Sequence, residues 1–167
     1  MAFETVQLND NLSFVKYNEL EDKKYVKLEK LPDSFVSAIK KFATFFSFDS
    51  EYQAYMIYMN DQLIGGIIIE SLLNGTTLEF KYSLIEGMIS STLEEEIFMD
   101  IYNFLCTNYN NKQFIKASVS KSNNINNFIE SGVKIKYVDT QYISKNYNSY
   151  VFKNKKYMKP FQKSYYI

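Results

Sequence analysis

The sequence predicts a mixed α/β fold of the α+β kind, a mostly antiparallel sheet of six or seven strands with helices on both faces. Three observations predict it. Between Thr77 and Asn108 the apolar period changes from two to between three and four, as when a strand gives way to a helix. Two apolar runs flank Asn60-Asp61, the spacing of a hairpin. A further strand pattern follows the helix, and a helical crossover sets such a strand parallel to the one before it.

The elements follow in order. Val6 to Tyr17 contains a first strand, with Leu12, Phe14 and Val15 as candidate core residues. Asn18 to Lys30 is charged and shows no clear period. Pro32-Asp33-Ser34 then opens a helix, SFVSAIKKFATFF, since proline and aspartate suit a helix start. Tyr52–Met59 and Gln62–Ser71 are the arms of the hairpin, and Ile67-Ile68-Ile69 in the second arm predicts burial on both faces. From Leu78 to Ile85 the central strand alternates, with Leu78, Phe80, Tyr82 and Leu84 on one face and Glu79, Lys81 and Ser83 on the other. Ser91-Thr92-Leu93-Glu94 matches a capping box, which places the start of the central helix there. Leu93, Ile97, Ile101 and Phe104 or Leu105 form its apolar stripe. Phe114 to Val119 is the parallel strand. Ile125 to Ser131 is a short helix closed by Gly132. Val133–Tyr142 and Ser149–Tyr157 complete the sheet, and KPFQKSYYI forms a basic, aromatic tail.

With 167 residues the chain suits a single domain over 1–167 with a sizeable core. Apolar residues make up 46%, and no run approaches the ~18 residues of a membrane span. The N-terminal MAFETVQLND has neither the basic nor the apolar region of a secretory signal. The one cysteine, Cys106, reads as a small buried hydrophobe and allows no disulfide within the chain. A reducing, cytoplasmic setting is therefore expected.

The chain has no histidine, no arginine and no tryptophan. Nucleophilic catalysis through Ser-His or Cys-His is excluded, as are zinc sites built on histidine, and no metal is expected. All 19 basic residues are lysines, so a bidentate guanidinium grip on phosphate is absent. Residues 1–100 hold 17 acids against eight lysines, a balance of −9, and residues 101–167 hold two acids against 11 lysines, a balance of +9. Either the two halves interleave in one sheet and their charges face each other, or the surface is polarised and steers a charged partner. The lysines and aromatic residues between Tyr150 and Lys163 would also suit single-stranded nucleic acid, but they describe an ordinary final strand better. The strand that runs into the helix start near Ser90 and Ser91 points several free N–H groups at one spot, a potential anion site.

The element order, with the segments LEFKYSLIEGMISSTLEEEIFMDIYNFL and IKASVSKSNNINNFIESGVKIKY, resembles the GCN5-related N-acetyltransferase superfamily over roughly residues 50–153. The resemblance implies that the central strand splays from its parallel neighbour and that acetyl-CoA wedges between them. Backbone groups at Leu84 and Ile85 would hold the pantetheine arm, and the loop at Ser90, Ser91 and Thr92 the pyrophosphate. The family's Arg/Gln-x-x-Gly-x-Gly/Ala signature falls on Ile89 to Glu94. Ile89 stands at its basic or amide position, Thr92 at its first glycine and Glu94 at its last small residue; none matches. Glu94, Glu95 and Glu96 favour the helix dipole themselves and oppose a pyrophosphate. Asn123 lies near the family's cofactor-contacting asparagine, and Phe128 takes the place of a tyrosine acid.

The resemblance implies an acetyl-CoA-dependent N-acetyltransferase. Its catalytic candidates are Glu79, as a base relayed through water, and, less strongly, Tyr82 and Glu70. The plainer role for Glu79 is a solvated strand carboxylate paired with Lys81 or a neighbouring strand. The partner implied is a small-molecule or peptide amine, with a homodimer as assembly and no nucleic acid or membrane. The alternative is a non-catalytic domain of the same fold that binds a protein or small molecule.

Overall fold

The computed structural model describes residues 5–16, 50–72 and 75–159. The helix expected over 34–46, the charged stretch 18–30 and the tail from Pro160 lie outside the described residues. Among these residues eight strands form one sheet in the order β1-β2-β3-β4-β5-β6-β8-β7. They are β1 (Thr5–Gln7), β2 (Leu12–Lys16), β3 (Ser50–Met59), β4 (Gln62–Leu72), β5 (Thr77–Leu84), β6 (Phe114–Ser120), β7 (Tyr137–Ser144) and β8 (Tyr147–Lys153). The helices are α1 (Ser91–Asn108) and α2 (Ile125–Ser131). β5 and β6 are parallel, and every other pair is antiparallel. None of the described helices is long and apolar enough to cross a membrane.

The expected count of six or seven strands is corrected to eight by one turn. The Asn9 side chain accepts the N–H groups of Asn11 and Leu12, at 2.9 and 2.8 Å. This asparagine turn folds the first expected strand into a β1–β2 hairpin. The second hairpin is as expected: Asn60 and Asp61 have φ of 49° and 68°, the pair of left-handed residues a two-residue loop needs. Two strand limits are also corrected. β7 starts at Tyr137 rather than Val133, because its partner β8 ends at Lys153 and leaves 133–136 nothing to pair with. β8 ends there because buried Asn154 turns the chain: its amide donates to the carbonyls of Tyr109 and Lys112, and its oxygen accepts the Lys156 N–H.

Alternation along the strands puts Leu78 and Phe80 of β5, Ile67 and Ile69 of β4, and Tyr150 and Phe152 of β8 on one face. α1 packs on that face through Ile97, Phe98, Ile101, Tyr102, Leu105 and Cys106. α2 joins the same core through Ile125 and Ile129. Phe98 is its centre, with ring centroids 5.9 Å from Phe80, 6.2 Å from Phe152 and 6.4 Å from Phe128. The Tyr102 hydroxyl donates to the Lys153 carbonyl at 2.7 Å and ties α1 to the end of β8. On the other face Ala54, Met56 and Ile68 are buried too, so the isoleucine run of β4 is covered on both sides.

Candidate active site

β5 and β6 pair from Thr77↔Phe114 to Lys81↔Ser118 and no further. Beyond that point each strand stays with its outer neighbour. Ser83 and Leu84 pair with Gly66 and Gly65 of β4, while Val119 and Ser120 pair with Asn148 and Tyr147 of β8. The sheet therefore opens as a wedge. Ile85 donates its N–H to the Ile64 carbonyl of β4 at 2.8 Å. By the alternation of a strand, the Leu84 N–H then faces the β6 side, into the opening. Gly65 permits this course of β5. A Cβ there would collide with the Ser83 carbonyl oxygen and approach Leu84 Cδ2 to 2.9 Å.

After β5 the chain turns through Gly87, whose φ is 81°, and enters α1. The helix cap is Ser90 rather than the expected Ser91. Its Oγ accepts the Leu93 N–H at 3.2 Å, and its carbonyl accepts the Glu94 N–H at 2.9 Å. The one-residue shift takes Glu94 out of the capping-box position and changes what it does. Glu94 lies three and seven residues before Ile97 and Ile101, on the stripe that faces the sheet. One of its carboxylate oxygens accepts the Tyr82 hydroxyl at 2.7 Å and the Asn123 amide at 2.8 Å. Tyr82 belongs to β5 and Asn123 to the loop after β6, so Glu94 spans the mouth of the wedge. Burial, and then the charge and hydrogen bond of Glu94, hold the Tyr82 hydroxyl well above its usual pKa.

A cleft of about 590 Å³ lies outside this bridge, lined by Ile89, Ser91, Glu94, Glu95, Asn123 and Phe128 among others. A second cleft, also about 590 Å³, shares Glu95 and Phe128 and adds Thr92, Glu96, Asp100 and Lys134. Burial raises the pKa of Asp100, the Asn9 hydrogen bond opposes that, and nearby Glu96 adds to it. Both clefts are thus rimmed by carboxylates at the helix start.

The structure brings Tyr82, Ser91, Asn123 and Phe128 together at the wedge mouth, with Leu84 along its edge and Thr92 on the outer rim. Ser90 is engaged in capping, and Ile85 is buried with its N–H committed to β4. Glu79 lies on the opposite face from Tyr82, beside a cleft of about 460 Å³ that also holds Glu70 and Lys116. One of its oxygens accepts the Ser118 hydroxyl at 2.9 Å, and the other is 3.9 Å from Lys116 Nζ. Its lysine partner is thus on the neighbouring strand. Ser118 Oγ in turn lies 3.2 Å from Ser149 Oγ of β8. Sequence reasoning gave Glu94 a different role and passed over Asn126. Glu94 bridges the wedge, and its place on the apolar stripe was the signal. Asn126 anchors the loop after β6, and its place beside Ile125 and three before Ile129 could have marked it.

No family model and no curated protein matches the sequence, whereas 157 chains of solved structures match the fold. The apo structure of RimL, a ribosomal alpha-N-protein acetyltransferase, has a TM-score of 0.56 at 10% identity, covering 90% of this chain and 94% of that one. An acetyl transferase from Salmonella typhimurium, which modifies the N-terminal serine of a 50S ribosomal subunit protein, gives 0.52 at 10% identity, covering 90% and 97%. The Campylobacter jejuni N-acetyltransferase PseH in complex with acetyl coenzyme A gives 0.53 at 16% identity, covering 91% and 99%. With its parallel pair, its wedge and these likenesses, the chain has the fold of the GCN5-related N-acetyltransferases.

Proposed function

We propose that the protein is an N-acetyltransferase that takes the acetyl group of acetyl-CoA and passes it to an amine of a small molecule or peptide. The observation that carries this reading is the lapse of β5–β6 pairing after Lys81 and Ser118. Solved neighbours with this fold include RimL with coenzyme A and PseH with acetyl coenzyme A. The wedge fits the extended, amide-bearing arm of such a donor, which would lie along the free edge of β5. The helix start fits the phosphate end poorly. Glu94 and Glu95 line the cleft there, Thr92 replaces a glycine, and the chain has no arginine. Weak binding follows.

Acetyl-CoA, when bound, supplies an activated thioester. The chain's own residues would orient it and handle the proton. The Leu84 N–H would hold the carbonyl oxygen. Glu79, steadied by Ser118 and Lys116, would take the proton of the amine through a water, with the amine arriving on the face away from α1. A second reading, a non-catalytic binding domain of the same fold, draws on the Glu94 bridge across the wedge mouth.

Calorimetric titration with acetyl-CoA, followed by thiol release in the presence of a panel of amines, tests the two. The acetyltransferase reading expects a Kd above about 100 µM, equivalent to roughly −5.5 kcal/mol, and thiol release that requires an amine. Binding without release in any amine would put the second reading first.

A further inference from the structure

Glu94 enters the wedge from α1, and its two partners stand on opposite sides of the opening. Tyr82 lies one residue past the last β5–β6 pair, and Asn123 lies three past the end of β6. Their donors converge on one carboxylate oxygen at 2.7 and 2.8 Å, lengths typical of charge-assisted bonds. Asn123 has no freedom to follow a displaced Glu94 far. Its oxygen accepts the Ile125 N–H at 2.9 Å, and its carbonyl accepts the Asn126 amide at 2.7 Å. The other face of the opening is bridged as well: Lys81 Nζ of β5 sits 3.9 Å from the ring centroid of Tyr147 at the start of β8. The strands that part at Lys81 and Ser118 are therefore tied together again on both sides of the sheet.

We propose that Glu94 is a clasp that holds the wedge shut from within, and that an acyl donor's arm enters only after the Glu94 carboxylate releases Tyr82 and Asn123. This rests on the acetyltransferase reading of the wedge. It differs from simple repulsion of phosphates by acidic residues. Repulsion depends on charge wherever it stands on the rim, whereas a clasp depends on the hydrogen bonds of one carboxylate. Apparent affinity falls by the fraction of molecules with the clasp open.

Acetyl-CoA affinity is measured by calorimetry for the full chain and for Glu94→Ala, Tyr82→Phe and Glu96→Ala, with melting curves to confirm folding. Amide hydrogen exchange over residues 82–85 and 119–124 is recorded without ligand. If the clasp is closed about nine-tenths of the time, Glu94→Ala tightens binding about tenfold and Tyr82→Phe several-fold. Glu96→Ala, which removes an equal charge from the rim, changes it less than twofold. Exchange over the two segments speeds up in the first two variants only. Equal gains from Glu94→Ala and Glu96→Ala, or a gain from Glu94→Ala that Tyr82→Phe does not share, would overturn the clasp and leave the acetyltransferase reading standing. If no variant binds acetyl-CoA, that reading fails. Exchange then decides the clasp alone, and unchanged rates in Glu94→Ala overturn it.

Discussion

Asn126 uses all four hydrogen-bonding positions of its side chain. Its amide donates to the carbonyls of Ser120 and Asn123, and its oxygen accepts the Asn148 amide and the Tyr150 hydroxyl. It is 7% exposed, so water replaces none of these bonds readily. The loop after β6 is thus fixed to β8, and Asn123 is held where Glu94 meets it. Asn126→Ala would remove one of the two donors to each of the Ser120 and Asn123 carbonyls, which keep the backbone N–H groups of residues 123 and 126. It would also take the acceptor from the Asn148 amide, while Tyr150 would keep Glu130. The expected cost is about 2–3 kcal/mol, read as a lower urea midpoint, since several hydrogen bonds are lost at once and each contributes roughly 0.5–1.5 kcal/mol net. Asn127→Ala, at the exposed neighbour, should stay within about 0.5 kcal/mol of the wild type. Equal losses at the two positions would mean that the network carries little weight.

Elements with a strong period were legible in the sequence; their ends were less so. The tight turn at Asn60-Asp61, the parallel strand at Phe114 and the α2 helix with Gly132 as its cap all follow from local chemistry, and Gly132 has the left-handed φ of 65°. The start of α1 did not follow. Ser90 and Ser91 are both good cap residues, and the glutamate at 94 made Ser91 the better match to a capping box. The choice depended on Glu94's tertiary partners, Tyr82 and Asn123, and no local pattern contains those. For the same reason residues that meet at the wedge mouth, such as Tyr82 and Asn123, could be named singly while the bridge between them could not. The two serines give a direct check. Ser90→Ala should cost about 1 kcal/mol by thermal melting, as loss of a helix cap does, whereas Ser91→Ala should be close to neutral. The reverse order would restore the cap to Ser91.

At the scale of the whole sheet, the charge asymmetry of the sequence has a structural counterpart. The acidic half of the chain builds β1 to β5 with α1, and the basic half builds β6 to β8 with α2. They meet along the β5–β6 ladder, where Glu79 faces Lys116 at 3.9 Å and Lys81 reaches Tyr147. The strand order does not interleave the halves: the acidic strands lie on one side of the sheet and the basic strands on the other, which favours the polarised account, with Glu79 and Lys116 facing each other across the seam. Phe98 of α1 completes the join by packing against Phe152 of β8 and Phe128 of α2.

The wedge leaves only five residue pairs to join the two parts of the sheet, and the loop between α1 and β6 is the one covalent link among the described residues. A chain cut after Asn110 would yield a fragment of charge −9 and one of charge +9, because residues 101–110 carry no charge. Neither piece alone covers the apolar face at the join, and their opposite charges favour encounter. Co-expressed or mixed, the two should reassemble by complementation into one particle on size-exclusion chromatography. Association should be faster at low ionic strength, as expected where the Debye length is long. Fragments that stay apart, or that associate at a rate indifferent to salt, would show that the seam is held by something other than charge and that short ladder.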